Sequence, residues 1–159
     1  MRCPVARTLE CVGEWWSMLI LRDAFSGLAR FDEFQKSLGI APNILTRRLK
    51  HLTEHGLLER HQYSERPPRY EYRLTERGRD FFPVLMAMMA WGNRHMAAEG
   101  IALEPVERDT GRPLEPLLID RHSALPITHA TTALKPGPAA TPGMVAWAAR
   151  MNGQAKEQA

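Results

Sequence analysis

The chain has few of the features that mark secreted or membrane proteins. Its 159 residues include only two cysteines, which is too few for a disulfide framework. No apolar run approaches the roughly 20 residues that a membrane-spanning helix needs. The first residues, Met1 to Pro4, lack the apolar segment of a signal peptide. We therefore expect a cytoplasmic protein that has no membrane partner.

Signatures of catalysis are also missing. The sequence contains no phosphate-binding glycine loop, no nucleophile–base pair and no carboxylate dyad. His51 and His55 have the i, i+4 spacing that can chelate a transition metal, and His61 follows nearby. No third type of ligand accompanies them, and exposed histidines are an ordinary explanation of this pattern. We expect no enzymatic activity, no metal site and no other cofactor.

The charge that the chain does carry is mildly basic. Its formal net charge is +3, and its sequence pI is about 9.1. Such a balance permits a polyanionic partner without requiring one. The length suffices for one domain with extensions. The positions of the charges are therefore more informative than their sum.

A basic helix is predicted over residues 42–55. Leu45, Leu49 and Leu52 recur at helical spacing and form one apolar stripe. Pro42 suits a first helical turn, and Gly56 suits the left-handed residue that ends a helix. The opposite face carries Asn43, Arg47, Lys50 and Glu54, with Thr46 at its edge. Such side chains can contact phosphates or base edges, although a solvated surface helix has the same charged face.

A hairpin with a basic tip is predicted after this helix. Leu57 to Tyr63 is a plausible strand, and Tyr70, Tyr72 and Leu74 alternate with charged residues as in a second, half-buried strand. In the loop Ser64–Arg69, Pro67 and Pro68 should stiffen the tip and block ladder pairing. Arg66 and Arg69 are placed to reach phosphates or a narrow minor groove. An ordinary exposed loop would contain similar residues, but helix, glycine stop and basic hairpin together favour a winged helix-turn-helix.

Helices are predicted on both sides of this motif. Three precede it, over Cys3–Val12, Trp15–Phe25 and Asp32–Leu38, and Gly39 lies in the turn before the basic helix. Thr75 can cap a further helix that runs to about residue 95, with a kink or break at Pro83. Its apolar residues are Phe81, Phe82, Val84, Leu85, Met86, Met88, Met89, Trp91 and Met96. They surround the helix, and burying them on all sides calls for a second subunit related by a two-fold axis.

The C-terminal part differs in composition. We predict a DNA-binding and dimerisation domain over residues 1–98, followed by a small extension over 99–125. Asp109-Thr110-Gly111-Arg112 in that extension suggests a β-hairpin. Residues 126–159 are predicted to be linker-like and flexible, because 126–143 are rich in Pro, Thr, Ala and Gly. A short helix around Trp147 is expected within 144–159.

The N-terminal sequence resembles the HxlR-type winged helix-turn-helix regulators over roughly residues 3–96. The matching positions are Cys3-Pro4-Val5-Ala6-Arg7, Val12-Gly13, Trp16, Leu19-Ile20-Leu21-Arg22-Asp23, Arg30-Phe31, Phe34, Pro42, Leu45-Thr46-Arg47-Arg48-Leu49, Gly56-Leu57-Leu58, Arg60, Pro67-Pro68, Tyr70-Glu71-Tyr72 and Leu74-Thr75. The resemblance implies homodimeric bacterial transcription factors that dimerise through terminal helices. It also implies a recognition helix at 42–55 and a wing at 60–73.

This chain departs from many family members at two places. It has Trp15 where many have a lysine, and residues 106–112 contain none of the paired cysteines that resemble a metal ribbon in long members. No metal site is therefore carried over.

Cys3 raises the question of a redox or electrophile switch. The resemblance implies that some members sense through the cysteine aligned with Cys3, and a position near a helix N-terminus favours the thiolate. The alternative is a buried, inert cysteine that packs at the dimer interface. Cys11 lies eight residues on, about 12 Å along a helix, beyond the reach of about 7 Å for an intramolecular disulfide. Any disulfide would join two subunits.

The sequence thus predicts an α+β, mainly helical, winged helix-turn-helix with terminal dimerisation helices. Its function would be sequence-specific binding of double-stranded DNA at a pseudo-palindromic operator by a homodimer that regulates a neighbouring gene. The alternatives are the same regulator with a switch at Cys3, or a winged helix that binds protein without DNA. The predicted recognition-helix contacts are Asn43, Thr46, Arg47, Arg48 and Lys50, and the wing contacts are Arg66, Arg69 and Arg73. The predicted dimer contacts are Phe82, Leu85, Met89 and Trp91. The inducer and the operator sequence are not identified.

Overall fold

The computed structural model describes residues 2–157, and side chains as far as residue 153. Its helices are α1 (Pro4–Val12), α2 (Trp15–Phe25), α3 (Phe31–Leu38), α4 (Pro42–Glu54), α5 (Glu76–Arg79), α6 (Phe82–His95) and α7 (Pro142–Glu157). Its strands are β1 (Leu58–Glu65) and β2 (Pro68–Leu74). The predicted α+β class with a winged helix-turn-helix is confirmed.

Two compact units make up the described chain. Thr8–Met89 form the first, and the residues before Thr8 together with those from Ala90 onwards form the second. The predicted boundaries at residues 98 and 125 remain predictions. No described helix is long and apolar enough to cross a membrane.

The apolar stripe of α4 forms the centre of the first unit. Leu45, Leu49 and Leu52 are fully buried, as predicted from their spacing. They join Ile20 and Leu21 of α2, and the cluster also includes Val12, Phe34, Ile40, Leu57, Leu58 and Phe81. Burying one such side chain contributes about 1.5–3 kcal/mol. The orientation of α4 is therefore set by its inner face, which leaves the outer face to solvent.

The turn between α3 and α4 is built from local signals. Gly39 has a φ of 61°, and its N–H donates to the Gln35 carbonyl oxygen at 3.0 Å.

At the start of α3, a Glu33 carboxylate oxygen accepts hydrogen bonds from the N–H groups of Ala29 and Arg30 at 2.9 and 2.8 Å. These backbone bonds, with Ala29 first, lower the pKa of Glu33. Both ends of α3 are thus fixed without help from a partner chain.

The hairpin is longer and its turn shorter than predicted. The antiparallel strands pair from Leu58 opposite Leu74 to Glu65 opposite Pro68, with an irregularity between Gln62 and Ser64. The prediction that both prolines block pairing is wrong for Pro68, because the first residue of a strand tolerates the missing N–H. The turn is reduced to residues 66 and 67. Arg66 and Pro67 thus lie at the tip of the hairpin, as expected.

The segment after the hairpin contains two helices in place of one. Thr75 caps α5 as predicted, since its Oγ1 accepts from Gly78 N–H at 3.0 Å. The predicted break exists, but it lies at residues 80–81, before Pro83. Pro83 instead occupies the first turn of α6, where its missing N–H costs nothing.

The second unit has little regular structure before α7. Around the predicted hairpin, Val106 and Pro113 form a single antiparallel bridge, and Glu107 N–H donates to the Arg112 carbonyl oxygen at 2.8 Å. Ile119 and Pro126 form a second isolated bridge. No regular strand is described among residues 99–125, because neither bridge is extended by further pairs. The helix expected around Trp147 is present as α7 and starts at Pro142. The last two residues of that expected helix lie outside the described residues.

Candidate nucleic-acid interface

The outer face of α4 presents polar side chains to solvent. Asn43, Thr46, Arg47 and Lys50 are all exposed. The Arg47 side chain has no hydrogen bond or ion pair with the side chains described between residues 2 and 153, whereas Lys50 Nζ lies 3.7 Å from the exposed Glu54 carboxylate. Thr46 Oγ1 donates to the Pro42 carbonyl at 2.8 Å, and Asn43 Oδ1 accepts from the Ile44 N–H at 2.9 Å. An exposed guanidinium on a rigid helix is suited to a phosphate or a guanine edge.

Arg48 does not belong to this face. Its side chain is only 14% exposed, and Nη1 lies 4.0 Å from a carboxylate oxygen of Glu14 in the loop before α2. Its Nε is buried without a hydrogen-bond partner among the described residues. The contact at Arg48 stays a prediction that this position disfavours, because one step of about 100° from Arg47 turns the Arg48 side chain toward the protein.

The three arginines predicted for the wing have two different surroundings. Arg66, in the turn, and Arg69, at the start of β2, are exposed, and their side chains have no ion pair in the described part of the chain. Arg73 forms an ion pair with Glu71, and it lies opposite Glu59 in the strand register. Its charge is therefore locally balanced, and Arg73 is less suited than the other two to contact phosphate.

Two further cations lie beside tyrosine rings of the wing: Arg30, immediately before α3, and Arg60, on β1. The Arg30 guanidinium carbon is 4.8 Å from the Tyr63 ring centre, and that of Arg60 is 4.2 Å from the Tyr70 ring centre. Both distances are typical of cation–π contacts. Sequence reasoning assigned neither arginine to the interface. The strand register places Arg60 opposite Tyr72 and therefore on the same face of the hairpin as Tyr70. Knowing that register would have indicated the contact between Arg60 and Tyr70.

The wing is attached to the start of α3. Arg30 forms a bridge with Glu71, and the Tyr72 N–H donates to the Ala29 carbonyl at 2.7 Å. A groove of about 520 Å³ lies between these elements and is lined by Arg30, Phe31, Asp32, Tyr63, Pro68, Arg69, Tyr70 and Tyr72. The attachment holds the wing cations in a defined place next to the helix-turn-helix.

The histidines are engaged with nearby backbone and side-chain atoms. His51 Nε2 lies 3.0 Å from the Glu10 carbonyl oxygen, and His55 Nδ1 lies 2.9 Å from that of His51. His61 is on β1, where its Nε2 lies 3.0 Å from a Glu59 carboxylate oxygen. Within the described residues, no group of three or more His, Cys, Asp or Glu side chains is placed to hold a metal ion.

Helix α6 carries the residues predicted for the dimer interface. Phe82 and Trp91 are 43% and 55% exposed in the single chain, and no α6 residue is buried. Leu85 is partly buried against the core of its own unit, and Met89 is half-buried. Val84 and Met88 add to the exposed apolar surface. An exposed apolar face of this extent is typical of an interaction surface.

Residues 11–100 match the model of the HxlR-like helix-turn-helix family. The chain belongs to this family. An uncharacterised HTH-type transcriptional regulator of Mycobacterium tuberculosis is 42% identical to this HxlR-like chain over 135 residues, which are 84% of this chain and 85% of the relative.

Solved structures with the same fold include two candidate transcription factors. PA1374 from Pseudomonas aeruginosa is 54% identical with a TM-score of 0.65, and the match covers 89% of this chain and 97% of that one. PA1607 is 45% identical with a TM-score of 0.76, covering 84% of this chain and 94% of that one. Both matches extend beyond the family domain into the C-terminal part.

The thiols of this HxlR-like chain are both free. Cys3 immediately precedes α1 and is half-buried, and Cys11, near the end of α1, packs against the core. The redox regulator HypR in its reduced form is 34% identical, with a TM-score of 0.56, covering 61% of this chain and 99% of that one.

Proposed function

We propose that this HxlR-like chain is a transcriptional regulator that binds duplex DNA sequence-specifically. Helix α4 enters the major groove, while the turn between β1 and β2 contacts the backbone or the minor groove. The observation that carries the proposal is the exposed, unpaired guanidinium of Arg47 on a helix whose opposite face is fully buried. The names of the relatives as HTH-type transcriptional regulators support it.

The proposed contacts have distinct roles. Asn43, Thr46, Arg47 and Lys50 are placed to reach bases or adjacent phosphates. Arg66 and Arg69 contact the backbone, which sets position and affinity without reading sequence. Arg30 and Arg60 add positive charge beside aromatic rings on the same hairpin. Arg48 is not among the proposed contacts, and Arg73 contributes less because Glu71 balances its charge.

The proposed DNA-binding form is a homodimer that uses α6. Phe82 and Trp91 are exposed aromatic side chains, and aromatic residues are enriched at interfaces. A two-fold dimer would bind a pseudo-palindrome whose half-site centres are about 34–36 Å apart. Acting on the chromosome, the protein would work in the cytoplasm.

Arg47→Ala tests the proposal most specifically. Loss of a base-reading guanidinium should cost about 1–3 kcal/mol of specific binding and flatten the preference at one operator position. The measurement is affinity for a duplex selected from a random pool, followed by a mutational scan of that duplex. Arg77→Ala, which removes an exposed cation from α5, is the matched control and should bind like the unmutated protein. If Arg47→Ala leaves both the affinity and the base preference unchanged, the proposal that this face of α4 contacts the bases is wrong.

A second candidate function is regulation of DNA binding through Cys3. The 34% identity to the redox regulator HypR and the position of Cys3 at the start of α1 favour it. Treatment with diamide should then lower operator affinity in the unmutated protein and in Cys11→Ser, but not in Cys3→Ser. Equal responses in all three proteins would assign Cys3 a packing role only.

A further inference from the structure

The second unit contains an apolar groove that the DNA-binding function does not use. It has a volume of about 390 Å³, within the range of small-molecule sites. The first residues of the chain, including Arg2 and Arg7, form part of its lining. Lys135 and the α7 residues Met144, Trp147 and Ala148 also line it. All of these residues belong to the same compact unit.

The walls of the groove are held in place by local structure. Asn152 on α7 makes two hydrogen bonds to the backbone of Leu134, accepting from its N–H at 2.8 Å and donating to its carbonyl at 3.0 Å. In the segment after Leu134, Pro136 and Pro138 restrict the backbone conformation. The Ala140 N–H also donates to the Gly137 carbonyl oxygen at 3.0 Å. A groove with fixed walls loses little conformational entropy when a ligand binds.

The charges at the groove have one sign. Arg2, Arg7 and Lys135 are cationic, and no acidic side chain is among the described residues that line the groove. None of the three side chains forms an ion pair with any side chain described between residues 2 and 153, so their charges are available to a ligand. Trp147 is 45% exposed, and it presents a flat apolar surface next to these charges. The combination is complementary to a molecule with an apolar body and a single negative group.

We propose that this groove binds a small apolar carboxylate. The carboxylate would accept hydrogen bonds from Arg7 and Lys135, with Arg2 nearby, because guanidinium and ammonium groups make the strongest bonds to such acceptors. The apolar body would lie against Trp147 and Met144. Aromatic and aliphatic acids share this chemistry, and both belong to the proposed class. Binding at this site does not depend on DNA.

The test uses the full chain without DNA and isothermal titration calorimetry with 2-naphthoate and octanoate as probes. At least one of the two acids should bind saturably with one molecule per chain. 2-Naphthamide, which has the same body as 2-naphthoate but no charge, should bind at least about tenfold more weakly than the binding acid. Saturable binding of neither acid, or equal binding of 2-naphthoate and its amide, would overturn the proposal.

Charge-removing variants locate the site. Arg7→Gln combined with Lys135→Gln should weaken binding of the acid by about tenfold or more and leave the amide unchanged. Arg121→Gln removes an exposed cation of the same unit outside the groove and should change neither. An unaltered affinity in the double variant would overturn the assignment. Lys135 lies in a segment without regular structure, so Lys135→Gln alone should fold. If the double variant does not fold, the affinity of Lys135→Gln for the acid is measured in its place. Because no DNA is present, failure here leaves the proposed DNA binding untouched.

Discussion

Helices α4 and α6 both carry large apolar side chains, and they differ in where those side chains lie. The α4 leucines are fully buried within one chain, whereas α6 buries no residue and leaves Trp91 55% exposed. The arrangement of α4 is therefore determined by the chain itself. That of α6 is completed, in the proposed function, by a second copy. Mutations of the buried face of α4 should accordingly affect the folding equilibrium, and mutations of the exposed face of α6 should affect the association of two chains.

The largest effect is expected from Leu49→Ala in α4. Removing a fully buried leucine leaves a cavity, and this should lower the free energy of unfolding by about 2–5 kcal/mol. Urea titration measures it. Met88→Ala in α6 truncates a side chain that is 49% exposed and should cost much less at protein concentrations low enough to dissociate a dimer. Equal losses in the two variants would mean that α6 is packed within its own chain.

Trp91→Asp addresses the other side of the comparison. A carboxylate in the centre of a dimer interface would be buried without a partner, so association should weaken by about 2 kcal/mol or more. Sedimentation velocity over a range of concentrations measures the change. Leu117→Asp, at an exposed apolar position outside α6, should leave association unaltered. A monomeric unmutated protein would refute the proposed role of α6.

Features that depend on neighbouring residues were predicted correctly from the sequence, whereas a feature that depends on a tertiary contact was not. The bounds of α2, the leucine stripe of α4 and the cap at Thr75 depend on neighbouring residues, and the sequence predicted them. The break before α6 was misplaced because the chain leaves the helix at residues 80–81 to bury Phe81, which is 9% exposed. Such a tertiary contact carries no periodic signal.

The candidate site was predicted less completely than the fold. Arg47 and the tip arginines follow from helix geometry and loop composition. The inward direction of Arg48 depends on the position of Glu14, and the aromatic contacts of Arg30 and Arg60 depend on strand register. The groove near Trp147 joins the two ends of the sequence. A pattern within one segment cannot indicate any of these three features.

The smallest predicted effect concerns the start of α3. The folded-state pKa of Glu33 is lowered by the backbone N–H groups of Ala29 and Arg30, so its contribution to stability is present above the unfolded-state pKa. That contribution should be lost as the pH falls through the lowered folded-state pKa. Glu33→Gln should therefore be less stable than the unmutated protein near neutral pH, with a smaller difference in acid. The check is urea denaturation at a series of pH values, and a pH-independent difference would contradict the charged cap.

The dependence of duplex binding on salt tests the central account most directly. A DNA-binding surface made by α4 and the wing releases counterions from DNA, so the logarithm of the association constant should fall linearly with the logarithm of salt concentration. Arg66→Ala and Arg69→Ala should each reduce the slope by about one and weaken binding to all sequences alike. A duplex affinity independent of salt, or a slope that neither substitution changes, would contradict the proposed interface.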